Sequence, residues 1–264
     1  MKKLIKSLLS SLSESKKMMI AQHLISELSA ENKARLGKQN LEFSLQQLKK
    51  LGYQPEHVID IGAHNGDWTL EVMKTFPDAH YHLFEPLPHK KQILTDRFDG
   101  KKVNLHHVLL GNEKKENVPF YSMESGSSVM SELTSFEREV LQLEMHPLDE
   151  LLDSQITSNN TLFKIDVQGF ELEVFKGAHE TLKKSEVICI EISLLNYNEG
   201  APLVDEIITS LKNYGFVPFD FVGFFRKNTD HGLIQADMLF IKEDSAIRKK
   251  INDFKSADFQ VVKF

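Results

Sequence analysis

Apolar residues along the chain change their period near residue 50. Before it, Leu4, Ile5, Leu8, Leu9 and Leu12 recur on one helical face, and so do Met18, Ala21, Leu24, Ile25 and Leu28. Leu41, Leu45 and Leu48 carry the pattern into a third segment. The spacing predicts a helical N-terminal extension over residues 1–50. LGYQP, residues 51–55, reads as the break into a second unit over residues 51–264.

From Val58 onward, short apolar runs alternate with helical segments. HVIDIG predicts a strand, TLEVMKTF a helix stopped by Pro77, HYHLFEP a strand, KKQILTDRF a helix and VNLHHVLLG a third strand. VPFYSM reads as a member of an antiparallel hairpin, while MSELTSFEREVLQ and LDELLDS read as a short helix and a loop. TLFKIDVQG then predicts a strand, ELEVFKGAHETLKK a helix, VICIEIS a strand and LVDEIITSLKNYG a helix. VPFDFVGFFRK and ADMLFIKED close the chain as two strands with only a loop between them, expected as an antiparallel hairpin at one sheet edge. This alternation predicts an α/β fold, a mostly parallel sheet wrapped by helices.

The totals narrow the classes. A chain of 264 residues, 41% hydrophobic and 27% charged, suits one α/β domain with an appendage. Its net charge of −6 argues against a nucleic-acid partner. Residues 1–50 nevertheless carry ten Lys/Arg against four acids, a local +6 that leaves −12 for the remainder. Cys189 is the only cysteine, which rules out intramolecular disulfides and cysteine-based zinc clusters and suits a reducing, cytoplasmic setting. No window approaches the roughly 18 apolar residues of a membrane span, so no transmembrane segment is expected. MKKLIKSLLSSLSESKK is like a signal peptide in outline. Its apolar stretch is short, is interrupted by Lys6 and serines, and lacks a small-residue cleavage site, so a retained helix is expected.

The chemistry begins in the glycine-bracketed turn GAHNGD, residues 62–67, between the first strand and the first helix. Such a turn lets a ligand approach the backbone. A dinucleotide fingerprint counted from Gly62 wants glycines where this chain has His64 and Asp67. An acid at that helix N-terminus would also repel a pyrophosphate. S-adenosylmethionine carries no phosphate and has a positive sulfonium and ammonium, so Asp60 and Asp67 suit it better. Glu85 ends the second strand 23 residues after Gly62, where an acid can accept both ribose hydroxyls of an adenosine. His64 lies in the turn and is placed to touch the cofactor without doing chemistry. The other ten histidines single out no base.

FKIDVQGFE, residues 163–171, is the second constellation. Alternation puts Lys164, Asp166 and Gln168 on one side of a strand. Polar residues there are tolerable at the carboxyl end, where open α/β sheets bind ligands. Glu191 ends the next strand, so Asp166 and Glu191 are expected to share a cleft. Such a pair needs a cation, a shared proton or Lys164 nearby; a sulfonium and a divalent metal are both candidate cations. Asp166, Glu191 and Lys164 are therefore the candidate catalytic residues, the carboxylates as proton acceptors for a hydroxyl.

VIDIGAHNGDWT, LFEP, VLLGN, LDELL, KIDVQGFELEVFKGA and IEIS, in this order, resemble the FkbM-type methyltransferase family over residues 55–243. The resemblance implies a seven-stranded Rossmann-like fold of class I methyltransferase type. It also implies an S-adenosylmethionine cofactor and a hydroxyl acceptor on a sugar, glycan or polyketide-type small molecule. It places Asp60, Gly62, Ala63, Gly66 and Glu85 along the cofactor and Asp166 near its methionine end. Gln168 stands where many members carry Glu, which weakens a metal or general-base role at that position. GSSVM, residues 126–130, resembles a serine-containing segment of the family, with Ser127 or Ser128 expected to face the site. The N-terminal helices lie outside these motifs and read as packing, a lid, a homo-oligomer contact or a basic face for an anionic surface. A catalytically silent binding module and a nicotinamide-dependent oxidoreductase remain the competing readings.

Overall fold

The computed structural model describes residues 10, 12–35, 40–123, 126–131, 137–152, 155–156, 158–196 and 198–251. Leu4, Ile5, Leu8 and Leu9 of the expected first helical face lie outside them. The chain begins with helices α1 (Glu14–Ser26), α2 (Ala30–Arg35) and α3 (Leu41–Lys50). Strand β1 (His57–Ile61), helix α4 (Asp67–Thr75), strand β2 (His80–Phe84) and helix α5 (Lys90–Phe98) follow. Next come β3 (Val103–His106), β4 (Leu109–Leu110), β5 (Lys115–Ser122), β6 (Glu139–His146) and helix α6 (Leu148–Leu152). The remaining elements are β7 (Thr161–Ile165), α7 (Glu171–Gly177), α8 (His179–Lys183), β8 (Ser185–Ser193), α9 (Val204–Asn213), β9 (Phe216–Arg226), β10 (Leu233–Lys242) and α10 (Ala246–Ile251).

Seven strands form one sheet in the order β3-β2-β1-β7-β8-β10-β9. β1, β2, β3, β7 and β8 are parallel, and β10 enters antiparallel between β8 and the edge strand β9. This is the expected Rossmann-like α/β layout, mostly parallel, with the expected antiparallel C-terminal hairpin at one edge. Alternation along β1 sends Ile59 and Ile61 to one core layer and Val58 to the other. The first layer takes apolar residues of α6, α7, α8 and α9, and the second those of α3, α4, α5 and α10. Both faces of the sheet are covered, which is why its central strands read as nearly continuous apolar runs.

Four local readings are corrected. LDELLDS is not a loop: its LDELL forms helix α6 and buries Leu148 and Leu152. VNLHHVLLG is not one strand: β3 stays in the large sheet, and β4 leaves it for a small sheet of order β4-β6-β5. EVLQ is not helical but opens β6, whose Leu141, Leu143 and Met145 alternate with the exposed Gln142 and Glu144, a period of two. ELEVFKGAHETLKK breaks at Ala178 into two short helices.

The N-terminal helices divide into two kinds. Asn40 caps α3 by accepting a hydrogen bond from the Phe43 backbone N–H (2.8 Å). Leu45 and Leu48 of α3 are fully buried in the second core layer, and Ser44 donates to Asp220 Oδ2 (2.5 Å) on β9. The boundary expected at residues 50–51 therefore runs through packed structure. By contrast α1 buries no residue, and Met18, Met19 and Leu24 are each at least 60% exposed. Periodicity marks a face as fit for burial without supplying the surface that buries it.

This contrast predicts different costs for truncation. Leu48→Ala should lose about 2–5 kcal/mol of unfolding free energy in a urea melt, whereas Leu24→Ala should change it by less than about 0.5 kcal/mol.

Candidate active site

A cavity of about 560 Å³ opens at the carboxyl ends of β1, β2 and β7, where the strand order reverses. That crevice is where open α/β sheets hold ligands, and the volume lies in the usual range for a small-molecule site. Gly62, His64, Glu85, Asp166, Gln168 and Glu191 line it. Ser127 also lines it, together with an apolar wall of Leu109, Leu110, Phe120 and Val129 built on the small sheet.

Glu85 follows β2 and is 4% exposed. Its Oε2 accepts from the His64 backbone N–H (2.8 Å) and its Oε1 from that of Leu87 (3.0 Å). Burial pushes its carboxyl above the usual range, opposed by those two amides. The two bonds fix the carboxylate at the cavity wall and leave each oxygen capacity for one further donor. The turn that supplies His64 is held in left-handed backbone by Gly62 (φ 76°), His64 (φ 50°) and Gly66 (φ 77°).

The glycines of the turn are also required by the protein's own packing. A Cβ on Gly62 would lie 1.9 Å from the Asp166 carbonyl oxygen, and one on Gly66 would lie 2.4 Å from the Phe98 ring. Both make room for protein atoms, and Gly62 also lines the cavity. Ala63 is buried in the second core layer and Gly66 lies against Phe98, so neither lines the cavity. Asp67 is also off the cavity: it begins α4 with a largely exposed side chain and pairs with Arg97 (2.5 Å) on α5.

Asp60 and Lys164 are direct neighbours in the β1–β7 register and point into the second core layer. Lys164 Nζ sits 3.2 Å from Asp60 Oδ1 and 3.5 Å from Asp166 Oδ2, and donates to the Gly62 carbonyl (3.0 Å). Thr69 Oγ1 on α4 donates to Asp60 Oδ2 (2.6 Å). Burial works against the ammonium, but Asp60 and Asp166 outweigh it and hold the Lys164 pKa above its usual value. Lys164 and Asp60 thus lie beneath the turn instead of in the cavity.

Asp166 and Glu191 do meet. Gln168 Nε2 donates to Asp166 Oδ1 (2.8 Å) and to Glu191 Oε1 (2.6 Å), and Gln235 Nε2 donates to the same Glu191 oxygen (2.6 Å). Burial, then Asp166 and Asp237, push the Glu191 carboxyl well above the usual range. A glutamate at 168 would add an acceptor to this group; the neutral amide supplies the missing donor. The Gln168 backbone is left-handed (φ 55°), and its carbonyl accepts from Ser128 Oγ (2.8 Å) and Asn198 Nδ2 (2.6 Å). Ser128 is therefore a buried brace for the turn, while Ser127 reaches the cavity. Among the described residues no group of three or more His, Cys, Asp or Glu is placed to hold a metal ion. One oxygen of each carboxylate, Asp166 Oδ1 and Glu191 Oε1, already accepts from an amide.

Gly223, Phe224, Phe225, Gln235 and Asp237 line the cavity from the C-terminal hairpin and were not legible as site residues. The signal was a glycine inside an aromatic strand, the mark of a close approach. His106 stacks on Phe84 with ring centroids 4.3 Å apart, a packing role.

A family model described as the methyltransferase FkbM domain matches residues 60–218. No curated protein matches the sequence. Among solved structures, the chain is similar to a putative rRNA methylase from Clostridium thermocellum, with 10% identity, 78% of this chain and 96% of that chain covered, and a TM-score of 0.46. It is similar to magnesium protoporphyrin IX methyltransferase from Synechocystis with bound S-adenosylmethionine, at 9% identity over 76% of each chain and a TM-score of 0.43. A Burkholderia thailandensis 1,6-didemethyltoxoflavin-N1-methyltransferase is 12% identical, with 88% of this chain and 91% of that chain covered and a TM-score of 0.39. The substrates named for these proteins differ from one another, and at these identities none transfers to this chain.

Two outcomes follow from the buried charges. Lys164→Met leaves Asp60 without its cation and should destabilise the fold by about 3–5 kcal/mol in denaturant melts. Glu171 on α7 is lifted to about 7 by burial, against the Gly169 N–H that it accepts and with Asp166 adding to the rise. Its folded value lies above its unfolded one, so its contribution to stability is complete below about pH 4.5 and is lost as pH rises through about 7. Glu171→Gln should therefore flatten the stability profile between pH 5 and 8, by on the order of 3 kcal/mol at most, as read by urea melts across that range.

Proposed function

We propose that this chain, which belongs to the FkbM methyltransferase family, transfers a methyl group from S-adenosylmethionine to a hydroxyl of a sugar, glycan or polyketide-type small molecule. The single observation that carries the cofactor assignment is Glu85: a buried carboxylate, fixed by two backbone amides, faces a cavity at the point where the sheet order reverses. Such a group accepts from the two ribose hydroxyls of an adenosine. Gly62 and His64 would border the same molecule and Asp166 its methionine end. When bound, the cofactor supplies a methyl already activated by a positive sulfur.

The residues then have three tasks. Lys164 and Asp60 hold the turn and Asp166 at a fixed separation. Gln168 and Gln235 keep Asp166 and Glu191 together on the acceptor side. The apolar wall on the small sheet excludes water and orients the acceptor, which is most of what methyl transfer asks of a protein. The hydroxyl reading rests on the carboxylates beside the cavity, which offer a proton acceptor.

Calorimetric titration tests the reading. The chain should bind S-adenosylhomocysteine in the micromolar range and leave NAD unbound, and Glu85→Gln should weaken that binding by about tenfold or more through the loss of charge-assisted bonds. Binding of NAD alone, or unchanged affinity in the variant, would sink the assignment.

A further inference from the structure

Three carboxylates face the cavity beyond the cofactor turn: Asp166, Glu191 and Asp237. Two are occupied by the protein. Asp166 receives Gln168 and lies beside Lys164, and Glu191 receives two amide N–H groups on one oxygen. Among the described residues none donates a hydrogen bond to the Asp237 carboxylate or pairs with it. Among the described residues it is the one of the three lining carboxylates that no protein donor occupies.

The strands place it there deliberately. Asp237 on β10 stands directly opposite Glu191 on β8 and Gly223 on β9. A Cβ on Gly223 would lie 2.3 Å from Asp237 Oδ2. Gly223 is not among the positive-φ glycines, so the glycine answers a need for room and not for backbone freedom. Any larger residue at 223 would occupy the place of that oxygen. Phe224 and Phe225, exposed by 42% and 60%, line the cavity next to it and give an acceptor an apolar shelf.

We propose that Asp237 is the proton acceptor for the acceptor hydroxyl, with Gly223 as the residue that makes room for it; the inference rests on the methyltransferase reading above. The O–H bond breaks as its proton passes to an Asp237 oxygen. The freed pair on the hydroxyl oxygen forms the new O–CH₃ bond. The S–CH₃ bond breaks with its pair left on sulfur, which departs as a neutral thioether, and Asp237 later returns its proton to water.

The charges around Asp237 agree with this role. Glu191 faces it from β8, Lys164 from β7, Asp166 from just past β7, and the buried Cys189 thiol from deeper on β8. Burial, then Asp166, lift the Asp237 carboxyl to about 6, with Lys164 opposing. Glu191 beside it is held well above its usual range by burial and by both aspartates. Asp237 is then the anion at neutral pH and a better base than an ordinary carboxylate.

The test follows tritium transfer from methyl-labelled S-adenosylmethionine to a panel of methyl glycosides and hydroxylated polyketides, from about pH 5 to pH 8. Calorimetry with S-adenosylhomocysteine runs beside it for every protein. Asp237→Asn should bind S-adenosylhomocysteine as the unaltered chain does, turn over about 100- to 10,000-fold more slowly, and lose the acid limb near pH 6. Gly223→Ala should lower kcat with the same intact cofactor affinity. An Asn variant with unchanged kcat and acid limb would overturn the proposal, and so would loss of cofactor affinity in step with activity, which marks a structural role. No binding or no transfer by the unaltered chain would instead bring down the methyltransferase reading itself, and this inference with it.

Discussion

Lys164 carries a full positive charge in the middle of a sheet covered on both faces, and its surroundings are arranged to keep it there. Taking an ammonium out of water costs several kcal/mol even after relaxation, and only close partners offset it. Here they come from three pieces of chain: Asp60 on β1, Asp166 just past β7 and the Gly62 carbonyl in the turn. Each of those pieces also forms part of the cavity edge. The cation therefore sets the distance between the cofactor turn and the acidic side of the cavity, although it does not reach the cavity itself. Thr69 on α4 adds a bond to Asp60, so the first helix is tied to the same centre.

The acidic side is held by neutral donors. Two carboxylates brought together without a cation must share a proton or find N–H groups, and Gln168 and Gln235 provide the second solution. The cost appears in the backbone, where Gln168 adopts a left-handed conformation that a side chain seldom tolerates. Ser128 and Asn198 hold the carbonyl of that residue from two other segments. Strain of this kind survives only where neighbouring structure over-determines it, and it gathers at functional sites. The small sheet carries the apolar cavity wall, and Ser128 bridges to it at Tyr121.

Much of the fold was legible because the large sheet alternates so regularly with helices. Apolar runs such as VIDI and LFKI fill central strands, and the final pair of strands had no room between them for a crossover. The errors fall where period and length were weak. Leu141, Leu143 and Met145 alternate in a short segment that reads equally as one turn of helix. VNLHHVLLG is a single apolar run that tertiary packing splits between two sheets. The α1 face has the right period and no partner surface among the described residues. In the site, Gly62, His64, Glu85, Asp166 and Glu191 line one cavity, because strand ends and the turn between them fix where such residues point. Asp67 and Lys164 share the same motifs and point elsewhere. A motif gives the order of residues, and only the partner across the sheet or helix decides which way each faces.

The sequence by itself determined the fold class, the position of the crevice and the acids at the ends of β2, β7 and β8, since these depend on local period and on strand order. Tertiary structure alone decided what the glycines make room for, that Lys164 is a buried strut, and that Gly223, Gln235 and Asp237 complete the cavity. Gln235 and Asp237 lie more than forty positions from the β8 residues they pair with, and Gly223 joins them only through β10. Their role exists only in the register of an antiparallel pair, a long-range alignment that no local pattern in the chain encodes.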